Sequence, residues 1–126
     1  MTSPQVQTGG CHCGAVRFRV LLDNPTAILC NCSICTKKGF VHLIVARDDL
    51  IIEQGEHHLT DYRFNTMTAR HTFCATCGMH PFYVPRSHPD GWSVNARCLD
   101  DQAFVARLPT QPFDGQQWED HIDSIR

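Results

Sequence analysis

Apolar residues recur at every second position over most of the chain, the period of a strand with one face buried. Val16, Phe18 and Val20 alternate with Arg17 and Arg19, which predicts a half-buried strand with a basic outer face. Similar runs predict short strands over Val41–Ala46, over 50–52, around Tyr62 and Phe64, over 70–73 and over 82–84. A late strand is expected where Trp92, Val94, Ala96 and Cys98 alternate with Ser93, Asn95 and Arg97, turning Cys98 inward. Only the tail has a helical period. Trp118, Ile122 and Ile125 fall at i, i+4 and i+7, and Asp114 with Gln117 three residues later has the form of a capping box. The expected architecture is mainly β, of short antiparallel strands with a short C-terminal helix.

With 126 residues the chain has the length of one domain, spanning 1–126, and no linker or repeat divides it. Lys and Arg number 11 against 13 for Asp and Glu, a net charge of −2. This balance argues against nucleic-acid phosphates or an anionic membrane as a partner. The apolar stretch at 43–46 is far too short to span a bilayer, and the opening MTSPQVQTGG is too polar for a signal peptide, so the expected location is cytoplasmic. Eight cysteines then change the picture. A reducing compartment disfavours disulfides, so these residues are expected to bind metal or to carry chemistry.

Seven of the eight fall into three groups: Cys11 with Cys13; Cys30, Cys32 and Cys35; and Cys74 with Cys77. A CxxC turn aims two sulfurs at one ion, and Gly78 after Cys77, like Gly14 after Cys13, supplies permissive backbone. Seven thiolates divide into four plus three. Cys11, Cys13, Cys74 and Cys77 would close a structural Zn²⁺ site, while Cys30, Cys32 and Cys35 would form a second site with one position open. A rival partition joins Cys11 and Cys13 to Cys30 and Cys32, but it strands Cys35 from its own turn. A three-thiolate site holds zinc less tightly than a four-thiolate one, so the second ion can be only partly occupied.

The stretches GGCHCGAVRF, CNCSICTKKG, HTFCATCG and FYVPRS, followed by CLDD and FDGQQWE, resemble the family that groups centromere protein V with the glutathione-dependent formaldehyde-activating enzyme. The resemblance runs from Gly9 to about Glu119 and is nearer to the centromere protein V branch between the cysteines. It implies a β-tent zinc fold similar to methionine sulfoxide reductase B and two zinc sites. Carried over by position, the structural zinc falls on Cys11, Cys13, Cys74 and Cys77, and the catalytic one on Cys30, Cys32 and Cys35.

Zinc bound by three thiolates has a formal charge of −1 and is a weak activator of water. Binding a further thiol suits it better, because a coordinated thiol loses its proton and can add to a small carbonyl. The expected activity is therefore that of a carbon–sulfur lyase, making or breaking a thiol–carbonyl adduct, with glutathione a candidate thiol. Lys37 and Lys38 are the nearest cations for its carboxylates, and Arg70, Arg86 and Arg97 are further candidates. His12, His71 and His80 lie close in sequence to cysteines and could support a thiolate. Cys98 is the protein's candidate for a fourth ligand, although an apolar strand face suits a buried free thiol better. The alternative is a non-catalytic, zinc-stabilised module that binds a protein partner, in which a fourth protein ligand would close the second site.

Overall fold

The computed structural model describes residues 4–63, 69–117 and 119. Strand β1 (Gln5–Gly10) pairs antiparallel with β2 (Arg17–Leu22), which continues to β5 (Leu50–Gln54) in a three-stranded sheet. A five-stranded sheet has the order β10 (Thr110–Phe113), β3 (Ala27–Cys30), β4 (Val41–Ala46), β9 (Gly91–Asn95) and β8 (Phe82–Tyr83). A hairpin-like pair, β6 (Leu59–Tyr62) with β7 (His71–Cys74), completes the strands. The mainly β, short-stranded expectation holds, with one variation: β10 runs parallel to β3, placing Phe113 opposite Cys30.

The period-two reading is realised most fully in β2. Val16, Phe18 and Val20 are fully buried, whereas Arg19 is exposed and Arg17 forms a two-pronged ion pair with Asp100. Phe18 meets Phe82 of the five-stranded sheet edge to face, with centroids 5.6 Å apart, and Phe82 meets Trp92 at 5.2 Å. These rings join the two larger sheets into one core.

Two expectations are corrected. The strand read over 92–98 stops at Asn95, because that side chain accepts the Arg97 N–H and caps a 3-10 turn, Ala96–Cys98. Cys98 is therefore half-buried in a turn instead of lying on a strand face. Ser93 and Asn95, assigned to an outer face, are buried like Val94, since β9 lies inside its sheet and polar partners meet its second face. Asp114 and Gln117 bracket a 3-10 turn, Gly115–Gln117, and Trp118, Ile122 and Ile125, which carry the expected helical period, lie outside the described residues.

Two short helices had no sequence prediction. Helix α1 (Ser33–Lys38) ends on Gly39 in the left-handed conformation, and α2 (Gln102–Ala106) is capped by Asp101, whose side chain accepts the Phe104 N–H. Neither is long enough to show a period. The signals were a basic last turn before glycine and an aspartate at the start. No helix among the described residues is long and apolar enough to cross a membrane.

Candidate metal centres

The fold brings seven cysteines together as four and three. Cys11 and Cys13 follow β1, Cys74 ends β7, and Cys77 sits in the turn beyond it; all four sulfurs lie within 4.8 Å of one another. Cys13 is 3.6 Å from Cys11 and 3.7 Å from Cys74, sulfur to sulfur. The turns work as the spacing predicts: Gly14 and Gly78 both have positive φ, and their N–H groups donate to the carbonyls of Cys11 and Cys74. The Val16 N–H reaches the Cys11 sulfur at 3.3 Å. Burial works against ionisation of Cys77, yet the backbone N–H groups of Cys13 and Met79 and the adjacent thiols bring it down to about 6. Four convergent sulfurs, some favoured as thiolates, fit a tetrahedral thiophilic ion.

Cys30, Cys32 and Cys35 form the second group, again with sulfurs within 4.8 Å. Cys30 ends β3, Cys32 is the N-cap position of α1, and Cys35 is buried in that helix. Hydrogen bonds from the Cys30 and Cys35 thiols, with the N–H groups of Cys35 and Ile34, favour the Cys32 thiolate despite burial. Cys30 is pushed up by Cys32 and by burial, against the opposing effect of Cys35, while Cys35 is pushed up by both sulfur neighbours and by burial. One thiol ionises readily and resists ionisation of the others, so holding three thiolates here requires a cation. The donor set fits Zn²⁺ on that ground.

The C-terminal strand latches this loop. Besides the parallel pairing of β10 with β3, Asn31 donates to Asp114 at 3.0 Å and accepts the Gln116 N–H at 3.0 Å. A Cβ on Gly115 would stand 2.5 Å from the Cys30 sulfur and 2.8 Å from the Cys32 Cβ, so only glycine fits against the cluster. Residues from FDGQQWE thus form one wall of a site built from CNCSIC.

Lys38 is the sequence-predicted cation that the structure brings to this site. Its Nζ lies 3.2 Å from His71 Nδ1 and packs 4.5 Å from the Tyr83 ring centre and 4.8 Å from that of Phe40. Burial lowers its pKa to about 8, against the opposing pull of Cys35 and Cys32. Lys37 is exposed. Arg70 is paired with Asp61 and Arg86 with Glu119, while Arg97 is exposed. His71 is buried and stacks on Tyr83, with centroids 4.7 Å apart and planes 13° from parallel. His80 lies 3.1 Å from the Thr72 carbonyl through Nδ1, and His12 is exposed. Cys98 joins neither sulfur group among the described residues; its thiol faces the His80 carbonyl, and its pKa rises to about 12 through burial and the charges of Cys11 and Cys77. It therefore adjoins the four-cysteine group and not the triplet for which it was the candidate fourth ligand.

Sequence reasoning missed His42, Tyr83 and Ser93. His42 Nδ1 lies 2.9 Å from Ser93 Oγ and 3.3 Å from the Tyr83 hydroxyl. Burial, then Lys38, lowers His42 and His71 to about 4, so both rings are neutral near pH 7. Burial and the three cysteines push Tyr83 well up, keeping it protonated. No ligand-spacing motif marks these residues, although Tyr83 falls within FYVPRS. The available signal was a histidine within an otherwise apolar strand, Val41–Ala46, opposite a polar position of the late strand. A larger hollow of about 440 Å³, walled by Leu22, Pro25, Phe104, Arg107 and Leu108, contains neither sulfur group.

Residues 6–116 match the family model described as glutathione-dependent formaldehyde-activating enzyme. A Halomonas elongata protein named "Putative glutathione-dependent formaldehyde-activating enzyme" is 35% identical over 78 residues, covering 55% of this chain and 50% of that protein. The chain thus matches about half the length of that curated relative. A crystal structure of a Rhodobacter sphaeroides protein is 34% identical, covers 82% of this chain and 99% of its own, and superposes with a TM-score of 0.71.

Proposed function

Because the chain belongs to the family of glutathione-dependent formaldehyde-activating enzymes, we propose that it joins a small thiol, glutathione, to formaldehyde, and catalyses the reverse cleavage. In this reading Cys11, Cys13, Cys74 and Cys77 hold a structural Zn²⁺, and Cys30, Cys32 and Cys35 hold a second. The observation that carries it is the three-sulfur group set against a half-buried lysine. A structural module would close that group with a fourth protein ligand, and none joins the three among the described residues.

Bound at the triplet, Zn²⁺ would supply the charge that keeps a substrate thiol ionised near neutral pH. The rest is work for the chain. Lys38 would pair with a carboxylate of the thiol, and His71 and the Tyr83 ring hold its ammonium in place. Asn31 and Gly115 fix the loop that sets the three sulfurs. In the reaction the S–H bond and the C=O π bond are lost while C–S and O–H bonds form, so RSH and CH₂O give RSCH₂OH with no oxidant.

The adduct also forms spontaneously, so the test is acceleration. Exchange between ¹³C-formaldehyde and its glutathione adduct should be measured by magnetisation transfer with the chain loaded with two zinc ions. A faster exchange, lost in Cys32→Ser together with one zinc, is expected. No acceleration by the fully loaded chain would refute the reading.

A further inference from the structure

A small hollow of about 40 Å³ adjoins the triplet, with Cys30, His42, Ile44, Tyr83, Ser87 and Phe113 in its wall. Ordinary ligand pockets are roughly 300–1,000 Å³, so the space inside this one suits water or a group of one or two carbons. His42 supplies a polar edge and is only 5% exposed. Its Nδ1 is engaged by Ser93 and Tyr83, whereas Nε2 has no partner among the described residues.

The hydroxyl protons decide which nitrogen carries hydrogen. Tyr83 and Ser93 each have one O–H to donate, and Tyr83 also bonds to Ser93. If Nδ1 accepts, the Ser93 proton goes to the ring and the Tyr83 proton to Ser93 or to the same nitrogen. Both are then satisfied, and the imidazole hydrogen sits on Nε2. If Nδ1 donated instead, one of the two hydroxyl protons would be left without an acceptor in this network. A buried N–H left unmet is costly, and an acceptor in the hollow would recover that cost.

We propose that this hollow holds the carbonyl group of a one- or two-carbon aldehyde, with the aldehyde oxygen accepting the hydrogen bond of His42 Nε2–H beside the thiol site at Cys30. The inference rests on the thiol–aldehyde reading above and gives the aldehyde its place. As the thiol sulfur adds to the carbonyl carbon, the π pair moves to oxygen. The proton lost from sulfur ends there, and His42 keeps its own. The neutral ring steadies the developing charge without surrendering a proton. Ile44 and Phe113 limit the size of the aldehyde.

The zinc-loaded full chain should be titrated with formamide, an unreactive one-carbon carbonyl, while the ring nitrogens of His42 are followed by ¹⁵N NMR. A saturable shift of Nε2 is expected. His42→Leu should slow adduct formation about 10²-fold with the KM for glutathione unchanged, and His42→Gln, which can still donate, should recover most of the rate. Ile44→Ala should raise propionaldehyde turnover relative to formaldehyde several-fold, and it tests the hollow independently if His42→Leu does not fold. The proposal is overturned if formamide leaves the His42 signals unmoved, which would mean a water site. It is equally overturned if folded, zinc-loaded His42→Leu keeps the wild-type rate, or if Ile44→Ala leaves the aldehyde preference unchanged. Should the wild type accelerate no thiol adduct while formamide still shifts Nε2, the proposed function fails and the carbonyl site stands.

Discussion

Replacing Gly115 by alanine adds one methyl group at the point where the C-terminal segment crosses the cysteine triplet. The new Cβ would lie 2.5 Å from the Cys30 sulfur, about 0.9 Å inside the 3.4 Å at which ordinary contact begins, and 2.8 Å from the Cys32 Cβ. Neither neighbour is the free end of a flexible chain, so the sulfur loop and the Asp114–Gln117 turn must part by roughly that distance. Metal ligation tolerates about ±0.2 Å. A displacement several times larger should weaken zinc at the triplet by about 10–100-fold, the loss typical when a supporting contact is removed. Overpacking should cost the fold about 1–3 kcal/mol. The four-cysteine group lies on other elements and should keep its ion. Competition with a chromophoric chelator reads both sites in one titration: Gly115→Ala should release its weaker zinc at a lower chelator concentration and its tighter zinc at the wild-type concentration. Two unchanged release steps would refute the steric argument, and loss of both would show that the sites are not independent.

Cys74→Ser should release the structural ion and leave the chain unfolded or insoluble, because such ions contribute on the order of 10 kcal/mol, as much as a domain's stability; circular dichroism and metal content check it. Lys38 is held at about 8 in the fold against an ordinary 10.5, so the unfolded chain binds more protons between those values and Lys38's contribution to stability should increase as pH rises through them. Lys38→Met should accordingly be the more stable protein at pH 7, by at most about 3 kcal/mol, with the advantage shrinking towards pH 10.5 in urea titrations. His42, His71 and His80 are all lowered to about 4 from 6.5, chiefly by burial, so their neutral forms support the fold above 6.5 and that support drains away as pH falls to 4. Urea midpoints should drop over that window, and His42→Gln should flatten the drop.

The sulfur groups were legible because their information is local. Cys30, Cys32 and Cys35 span six positions, and once they are set apart two pairs remain to meet. Strand β2 was legible because it has one buried and one open face. The same rule misread β9, where Ser93 and Asn95 are polar and yet buried, because a polar residue with partners across the sheet is indistinguishable in sequence from one facing water. Helix α1 was too short to show a period. Lys38 was singled out for its place just beyond the triplet, but its aromatic box of Phe40 and Tyr83 depends on a register between distant strands. Gly115 was invisible for the same reason, since nothing near it in the chain says what it will touch.

The parallel pairing of β10 with β3 also sets an order of events. The triplet is complete once residue 35 has been synthesised, but its latch, from Asn31 to Asp114, spans 83 residues and can close only after residue 114 has been made. Contacts so distant in sequence form late. During synthesis the three sulfurs are therefore together on their loop before the wall around them exists, which is when an ion enters most easily and when oxidation threatens most. On the proposed two-zinc reading, closure of β10 afterwards would turn a loop that exchanges metal freely into a site that keeps it.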